Sequence, residues 1–297
     1  MKIVQSYWSK PNLASKSENK SMGGWSDSVF FYMSWALSCL TFKEFYDHIE
    51  LVTDENGKKL LVEMLELPYD PVKTSLEDIK GYDHDLWAVG KIYAYSIQTE
   101  PFIHADYDVY IWNRFPDRIE NSELIGQHLE ISYDHNQSFY QDVENNLSYI
   151  PESILNFREK TTKEIIEVNA GILGGFNLKF FKEYTAEAFH FVDKNYDRIG
   201  RLTYKGMFNT IFEQYLFYCL AQEKQIPIEY LIKEQISSRF EGLADFTDIH
   251  YKTSYIHTVG DYKKYFRIGE QVAYRLWHHY PQYYNKIIQL YQEGILL

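Results

Sequence analysis

The segment from Phe102 to Trp112 constrains the fold of this chain more than any other part of the sequence. Apolar and aromatic residues fill it, as in a strand covered on both faces, except where Asp106 and Asp108 interrupt the run. A carboxylate in a buried strand is costly unless a cation replaces its water. Because strand side chains alternate, the two aspartates are predicted to point the same way, which suits two oxygen ligands of one divalent metal ion.

A second polar segment, HTVGDYK at residues 257–263, follows a short apolar run. His257 offers a nitrogen ligand, Gly260 lets the backbone approach a phosphate, and Lys263 supplies a positive charge one turn later. Alone, the pattern is more typical of a loop histidine. Together with the two aspartates, it makes His257 the predicted third metal ligand.

Two neighbouring features have simpler interpretations. The triplet Asp83-His84-Asp85 has the same Asp-x-Asp spacing, but it lies in a polar turn before an apolar helical pattern, so we expect helix capping there. His104 is predicted to share a strand face with the aspartates. A histidine in that position is more often hydrogen-bonded in the core, and it is left outside the predicted metal set.

Apolar periodicity alternates between strands and helices over the first third of the chain. Strand patterns at residues 2–8, 48–53 and 72–76 alternate with helical patterns that begin after Ser26 or Asp27, after Asp54 and near Leu86. This order predicts an α/β fold with a mostly parallel central sheet flanked by helices. Such sheets bind ligands beyond the carboxyl ends of their strands.

The later patterns are less regular. Residues 113–160 are predicted to be loops with some antiparallel strand, and Glu167–Gly175 to be one strand that ends in glycines. Helices are predicted over 178–195 and 207–224, a strand over 227–232, and one or two C-terminal helices interrupted at Pro281. No interdomain linker is evident, so we predict a single domain over 1–297.

Charge and composition limit the partners. The net charge of −12 argues against a nucleic-acid polymer, which selects clustered lysine and arginine, and repels anionic membranes. Aromatic residues reach 18%, which fits either a large core or a groove that stacks on flat ligands. The sequence shows no secretory signal and no run that resembles a transmembrane segment, so a cytoplasmic location is expected.

The Asp-x-Asp motif of a buried strand, followed far downstream by His-x-x-Gly-x-x-Lys, resembles the A-type glycosyltransferase fold, which is Rossmann-like. The resemblance is strongest to retaining enzymes of the glycogenin and lipopolysaccharide-galactosyltransferase kind. It implies that Asp106, Asp108 and His257 hold Mn²⁺ or Mg²⁺ on the diphosphate of a nucleotide sugar. It also implies that Gly260 and Lys263 contact the phosphates. The order of elements matches over most of the chain, with specific motifs at two places.

Three further positions match the same family. Lys91 stands where a basic residue contacts the donor, Asn169-Ala170-Gly171 resembles the Asn-x-Gly strand of the sugar pocket, and Glu213-Gln214 resembles the acidic-Gln pair near the anomeric carbon. Each also has a structural interpretation. Lys91 equally fits a solvated lysine, Asn169 a turn asparagine, and Glu213-Gln214 a pair on a helix surface.

The sequence departs from the family pattern at two places. The lysine motif lacks the Pro-Trp that commonly follows, and the usual Asp-Asn-Tyr near the first strands is absent. Asp54 at the end of the second predicted strand offers an analogous carboxylate. Tyr7, Trp8 and Asp54 are therefore the candidates for recognising the nucleotide base.

The resemblance implies a metal-dependent hexosyltransferase that moves a sugar from a nucleoside diphosphate, UDP being favoured, to a hydroxyl acceptor. The acceptor is a saccharide, a lipid-linked glycan, a peptide or a small molecule. The implied catalytic residues are Asp106, Asp108, Glu213 and Gln214. Within the domain, 1–112 would bind nucleotide sugar and metal, 113–261 would form the acceptor and sugar pocket, and 262–297 would add C-terminal helices.

Two alternatives stay open at this stage. A protein with the same fold could bind a nucleotide sugar, or act as a scaffold, without turnover. A nucleotidyltransferase also uses carboxylate-bound metal on an α/β sheet, but it normally needs a glycine-rich loop after the first strand, and residues 5–10 do not supply one.

Overall fold

The structure is a computed structural model that describes residues 1–14, 22–131, 134–161, 165–234, 236, 243–246 and 254–296, with the side chains of 14 and 134–136 excepted. The chain divides into two compact units. Unit 1 comprises Met1, Ile79–His104 and Phe115–Arg239. Unit 2 comprises Lys2–Asp78, Ala105–Arg114 and Phe240–Leu297.

Helices and strands follow one another in a mixed order. The α-helices are α1 Lys10–Ala14, α2 Ser28–Lys43, α3 Glu55–Lys58, α4 Ala88–Ser96, α5 Asp117–Glu120, α6 Asp134–Asn146, α7 Glu152–Lys160, α8 Leu178–Asn195, α9 Phe208–Thr210, α10 Leu216–Glu223, α11 Phe266–His279 and α12 Pro281–Gln292. The strands are β1 Lys2–Tyr7, β2 Ile49–Thr53, β3 Val72–Lys73, β4 Phe102–Ala105, β5 Val109–Ile111, β6 Leu124–Gly126, β7 Leu129–Ile131, β8 Ile166–Val168, β9 Ile172–Gly175, β10 Ile228–Tyr230 and β11 Tyr255–His257. Two π-helical segments, Lys59–Met64 and Ile211–Tyr215, directly follow α3 and α9.

In unit 2, strands β1, β2 and β3 form a parallel ladder, and a long buried helix lies close to it. β1 pairs with β2 from Ile3↔Ile49 to Tyr7↔Thr53, and β2 pairs with β3. Helix α2 starts as the sequence predicts, because the Asp27 side chain accepts a hydrogen bond from the Val29 amide. It is buried over most of its length, and α11 and α12 pack against it.

In unit 1, the strands lie in the order β10, β6, β9 and β4, while β7 and β8 form a separate antiparallel pair. Gly174 in β9 allows the close approach to β4, because a Cβ atom there would lie 2.2 Å from the Phe102 carbonyl oxygen. Helices α4 and α8 pack together, as do α7 and α10.

The predicted fold class is confirmed. The pairings β1–β2, β2–β3 and β10–β6 are parallel and β6–β9 is antiparallel, which is a mostly parallel sheet in an α/β protein flanked by helices. The two C-terminal helices are also present, and Pro281 stands in the first turn of α12. Within the described residues, no helix is both long enough and apolar enough to span a bilayer.

The prediction of loops over 113–160 is wrong in part. The antiparallel strands are present as β6 and β7, but the segment also contains helices α5, α6 and α7. The helices were missed because their composition is polar. Only narrow apolar stripes, such as Tyr140 and Val143 of α6, face the interior.

Two predicted single strands are each broken by a turn. The run from Phe102 to Trp112 divides into β4 and β5, because the Val109 amide donates to the Asp106 carbonyl at 3.1 Å. The run over Glu167–Gly175 divides into β8 and β9. The orientation of Asp106 and Asp108 is therefore set by this turn and not by strand alternation.

The β7–β8 pair places two buried carboxylates opposite each other. Glu130 and Glu167 are cross-strand partners, and Glu167 is 1% exposed. Burial, followed by the charge of Glu130, raises the pKa of Glu167 to about 8, and the hydrogen bond with Thr210 opposes this only in part. Folded Glu167 therefore keeps its proton at neutral pH.

This raised pKa predicts a pH dependence of stability. The unfolded chain releases the Glu167 proton near its ordinary pKa of 4.5 and the folded chain only near pH 8. The contribution of Glu167 to stability is therefore fully present below pH 4.5 and is lost as the pH rises to about 8. The loss is several kcal/mol at most. Urea unfolding between pH 5 and 9 should show a steeper decline for wild type than for Glu167→Gln, which cannot ionise. Parallel curves for the two proteins would contradict the assignment.

Candidate metal and phosphate site

In unit 2, the HTVGDYK segment lies beside the turn that carries the two aspartates. Strand β11 pairs antiparallel with β5, and His257 is the partner of Val109. The amide of Thr258 donates to the Asp108 carbonyl at 3.0 Å, and the Thr258 hydroxyl donates to the same oxygen at 3.3 Å. This ladder brings together residues that lie about 150 positions apart in sequence.

The three predicted metal ligands converge. One ligand atom each from Asp106, Asp108 and His257 lies within 4.8 Å of the other two. His257 Nε2 lies 3.5 Å from Asp108 Oδ1. Asp108 is 2% and His257 4% exposed, while Asp106 is half-buried. Two carboxylates and an imidazole are suitable donors for Mn²⁺ or Mg²⁺, so the residues fit a divalent cation.

Lys263 completes this cluster through an ion pair with Asp108. Its Nζ lies 2.5 Å from Asp108 Oδ2, and its backbone carbonyl accepts the Ser26 amide at 2.9 Å. Gly260 begins the short 3₁₀ helix that carries the lysine, with a φ of +58° that favours glycine. Lys263 therefore reaches the aspartate from a fixed backbone.

The charges in this cluster compensate one another. Burial alone would raise the pKa of Asp108, but the charges of Lys263 and His257 outweigh burial and hold that pKa well below its usual range. Burial alone would lower the pKa of Lys263, but the charge of Asp108 outweighs it and holds that pKa above its usual range. Both groups are therefore ionised at neutral pH.

Tyr107, which sequence reasoning did not assign, forms one wall of the cluster. Its ring stacks on Trp35 at a centroid distance of 4.9 Å, and its hydroxyl donates to the Gly23 carbonyl at 2.8 Å. Lys263 Nζ lies 5.3 Å from the ring centroid. The signal available in the sequence was an aromatic residue between two aspartates, because its ring can pack beside them.

A polar network also ties the aspartate turn to β1. The side-chain amide of Gln5 donates to Ser38 Oγ at 2.8 Å and to the Asp106 carbonyl at 3.4 Å. The Tyr69 hydroxyl donates to Gln5 Oε1 at 2.7 Å. A glutamine inside an apolar strand was the sequence signal for this network.

The three candidates for base recognition lie where β1 and β2 end. Asp54 Oδ1 accepts the Gly57 amide and Oδ2 accepts the Ser9 amide, each at 2.8 Å. Asp54 thus caps α3, as predicted, and fixes the loop after β1. Tyr7 is 7% and Trp8 9% exposed. Base recognition by these residues stays a prediction.

In unit 1, Lys91 and Glu213 form a buried ion pair. Lys91 Nζ lies 2.8 Å from Glu213 Oε1 and donates to the Ala170 carbonyl at 3.1 Å. The Tyr95 hydroxyl donates to the same carboxylate oxygen at 3.0 Å. Lys91 is 8% and Glu213 0% exposed, so neither a solvated lysine nor a helix-surface glutamate describes them.

The π-helical segment Ile211–Tyr215 carries both Glu213 and Gln214. Such segments widen a helix locally and are frequent at functional sites. The Tyr184 hydroxyl donates to the Glu213 carbonyl at 2.7 Å. Gln214 is half-buried. Sequence reasoning did not identify Tyr95 as a partner of Glu213. The detectable signal was its position one helical turn after Lys91.

Asn169 closes the turn between β8 and β9. Its Oδ1 accepts the Gly171 amide at 3.0 Å, and its Nδ2 donates to Glu130 Oε1 at 2.7 Å. The turn-asparagine interpretation is therefore confirmed. A role for Asn169 toward a sugar stays a prediction.

His104 and the Asp83-His84-Asp85 triplet have separate surroundings. The His104 ring lies edge-on to Tyr95, and burial, followed by the charge of Lys91, lowers its pKa well below the usual value. The ligand atoms of the triplet also lie within 4.8 Å of one another, but its side chains are more exposed than those of Asp108 and His257. The expected helix capping is wrong: α4 begins at Ala88, and Asp83 Oδ1 accepts the Asp85 amide at 3.0 Å.

The sequence matches the model of a family described as "Family of unknown function (DUF6734)" over residues 1–290. No curated protein matches the chain. Three similar solved structures are each at most 12% identical to this chain. The galactosyltransferase LgtC, in complex with donor and acceptor sugar analogues, is 12% identical, with 71% of this chain and 70% of LgtC covered and a TM-score of 0.39.

The second of these structures is mouse xyloside xylosyltransferase 1, apo form, at 11% identity, with 78% of this chain and 85% of that chain covered and a TM-score of 0.39. The third is the glycosyltransferase GlyE of Streptococcus pneumoniae, at 10% identity, with 99% of this chain and 64% of that chain covered and a TM-score of 0.44. These likenesses are too distant to assign an activity.

Proposed function

We propose that this chain, which belongs to the DUF6734 family, is a metal-dependent glycosyltransferase of the A-type fold. The observation that carries the proposal is the buried convergence of Asp106, Asp108 and His257, with Lys263 on the same aspartate. These are the positions at which the two sequence motifs resemble the family. The donor is a nucleoside diphosphate sugar, with UDP favoured, and the acceptor is a hydroxyl group.

Asp106, Asp108 and His257 would hold the divalent cation. When bound, Mn²⁺ or Mg²⁺ supplies Lewis-acid neutralisation of the charge that develops on a departing diphosphate. Asp108 uses Oδ2 for Lys263 and directs Oδ1 toward His257, so its two oxygens serve separate partners. Lys263 places a permanent positive charge beside the ligands, where it offers a charge-assisted hydrogen bond to a phosphate oxygen.

Lys91, Glu213 and Gln214 would act on the sugar. By resemblance, Lys91 contacts the donor, and the Glu213-Gln214 pair stabilises an oxocarbenium-like centre or orients the acceptor. Lys91 and Tyr95 hold the Glu213 carboxylate in one orientation, which preorganises a negative charge for a cationic centre. The proposed reaction transfers a hexose with retention of configuration. The proposed enzyme is a single-domain cytoplasmic protein.

Donor hydrolysis tests the reaction class. Purified protein is incubated with UDP-glucose, UDP-galactose or GDP-mannose, with and without Mn²⁺, and release of free sugar is followed by chromatography. We expect slow hydrolysis of at least one donor that requires the metal and is absent in Asp108→Asn. Metal-dependent nucleotide-sugar binding with no hydrolysis of any donor would instead support a binding protein. Formation of a nucleoside triphosphate and a sugar 1-phosphate when pyrophosphate is added to the same donors would indicate a nucleotidyltransferase.

A further inference from the structure

A cavity of about 330 Å³ in unit 1 shares no lining residue with the candidate metal and sugar sites. Its lining comes from the start of α7, the middle of α8, the end of α10 and the segment just before α7. The volume lies within the range of about 300–1,000 Å³ that small-molecule sites occupy. The lining residues are Tyr149, Glu152, Ser153, Glu183, Glu187, Leu220, Glu223 and Lys224.

This cavity carries a strong negative charge. Four glutamates and one lysine line it, so its net charge at neutral pH is −3. Lys224 is paired with Glu183. Within the described part of the chain, the other three carboxylates form no ion pair, and these are Glu152, Glu187 and Glu223. Carboxylates that gather without a counter-charge repel one another, and they attract a cationic ligand.

The hydroxyl group of Ser153 is a second feature of the cavity that points to a ligand. Ser153 is 4% exposed, and its side-chain oxygen has no hydrogen-bond partner among the described residues. Leaving a buried hydroxyl without a partner costs free energy. Because a hydroxyl oxygen accepts from an N–H group, an ammonium group bound in the cavity satisfies it.

The carboxylates of the cavity are too dispersed to hold a single metal ion. Among the described residues, two groups of three or more His, Cys, Asp or Glu side chains bring their ligand atoms within 4.8 Å of one another, and neither group contains a glutamate of this cavity. Leu220 and the ring of Tyr149 also add apolar lining. The Tyr149 hydroxyl donates to Glu187 Oε1 at 2.5 Å, which fixes the ring beside a carboxylate. Such lining suits methylene groups that lie between separated ammonium groups.

We propose that this cavity binds an aliphatic polyamine, in which ammonium groups alternate with methylene segments. The ammonium groups pair with the three carboxylates that no lysine neutralises, and one of them donates to the Ser153 hydroxyl. The methylene segments pack on Leu220 and the Tyr149 ring. A basic peptide carries the same ammonium groups, but a stable interface with a protein chain needs far more surface than this cavity offers. The inference does not depend on the proposed transferase activity.

Calorimetric titration of the full chain with spermidine, in a buffer that contains EDTA, tests this inference. The first test variant is Glu187→Gln with Glu223→Gln, which removes charge but keeps hydrogen-bond acceptors. The second is Ser153→Ala, which removes only the hydroxyl. The matched control is Asp83→Asn with Asp85→Asn, which removes two accessible carboxylates of unit 1 outside the cavity. A second probe is lysyl-lysine amide, which has as many ammonium groups as spermidine.

We expect saturable binding of spermidine that weakens with salt. The glutamate variant should bind at least about tenfold more weakly and Ser153→Ala about threefold to tenfold more weakly, with thermal unfolding no lower than in wild type. The control should stay within about twofold of wild type.

Three results would overturn this inference. The first is the absence of saturable spermidine binding to wild type. The second is an equal loss of affinity in the glutamate variant and in the control, which would indicate diffuse attraction to an acidic protein. The third is tighter binding of lysyl-lysine amide than of spermidine, abolished in the glutamate variant, because the cavity would then belong to a basic peptide.

Discussion

Replacement of Asp108 by asparagine is expected to weaken Mn²⁺ binding by more than about 100-fold and to abolish Mn²⁺-dependent binding of UDP. The substitution removes the charged oxygen that lies 3.5 Å from His257 Nε2. It also removes the carboxylate beside Lys263 Nζ, and breaking a buried ion pair costs about 3–5 kcal/mol. Calorimetric titration with Mn²⁺, then with UDP, measures the first effect, and urea unfolding measures the second.

The variant Lys263→Met separates the two roles of Asp108. It keeps all three metal ligands and removes a phosphate contact, so Mn²⁺ should bind while UDP affinity falls. Combining it with Asp108→Asn should recover stability without recovering metal binding. If the double variant binds Mn²⁺ as wild type does, Asp108 is not a ligand, and the proposed site is wrong.

Replacement of Glu213 by alanine is expected to abolish turnover and to destabilise unit 1 by about 3–5 kcal/mol. The change leaves Lys91 Nζ in a buried position without the carboxylate 2.8 Å away, and removes the acceptor of the Tyr95 hydroxyl. Thermal unfolding and donor hydrolysis measure the two effects. The proposed role adds a loss of transition-state stabilisation, which lowers kcat more than it raises KM.

Two further variants distinguish structure from catalysis at this pair. Glu213→Gln keeps the shape and a hydrogen-bond acceptor but not the charge, and Lys91→Met with Glu213→Met replaces the pair by apolar side chains of similar length. The double variant should regain most of the stability and none of the turnover. Full hydrolysis activity in Glu213→Gln would show that the carboxylate charge has no catalytic role.

Local sequence signals predicted much of the secondary structure. Asp54 caps a helix as expected, and Asp27 is the cap of the two candidates, Ser26 and Asp27, for α2. A short acceptor side chain before an apolar run satisfies free amides wherever the helix lies. The bounds of α8 match the predicted 178–195, since its apolar stripe is wide and regular. The π-helical segment that carries Glu213 could not be predicted, because no local pattern distinguishes it from an α-helix.

The convergence of the three proposed ligands was predictable from the sequence, but its geometry was not. Asp106, Asp108 and His257 do converge, yet they converge at a turn rather than on a strand face. The turn depends on a long-range ladder between β5 and β11, and on hydrogen bonds from Thr258 to the Asp108 carbonyl. Sequence periodicity carries no information about such pairing. For the same reason, sequence periodicity could not predict the ion pair between Lys263 and Asp108, which sets the charge of the site.

Anomalous X-ray scattering from a crystal soaked with MnCl₂ and UDP tests the central claim most directly. We predict one strong manganese peak about 2.0–2.4 Å from a carboxylate oxygen of Asp108 and from a ring nitrogen of His257, with Asp106 as a third ligand. The Asp83-His84-Asp85 triplet, with the same donor types, serves as an internal control and should stay empty. A peak at that triplet and none at His257 would contradict the account.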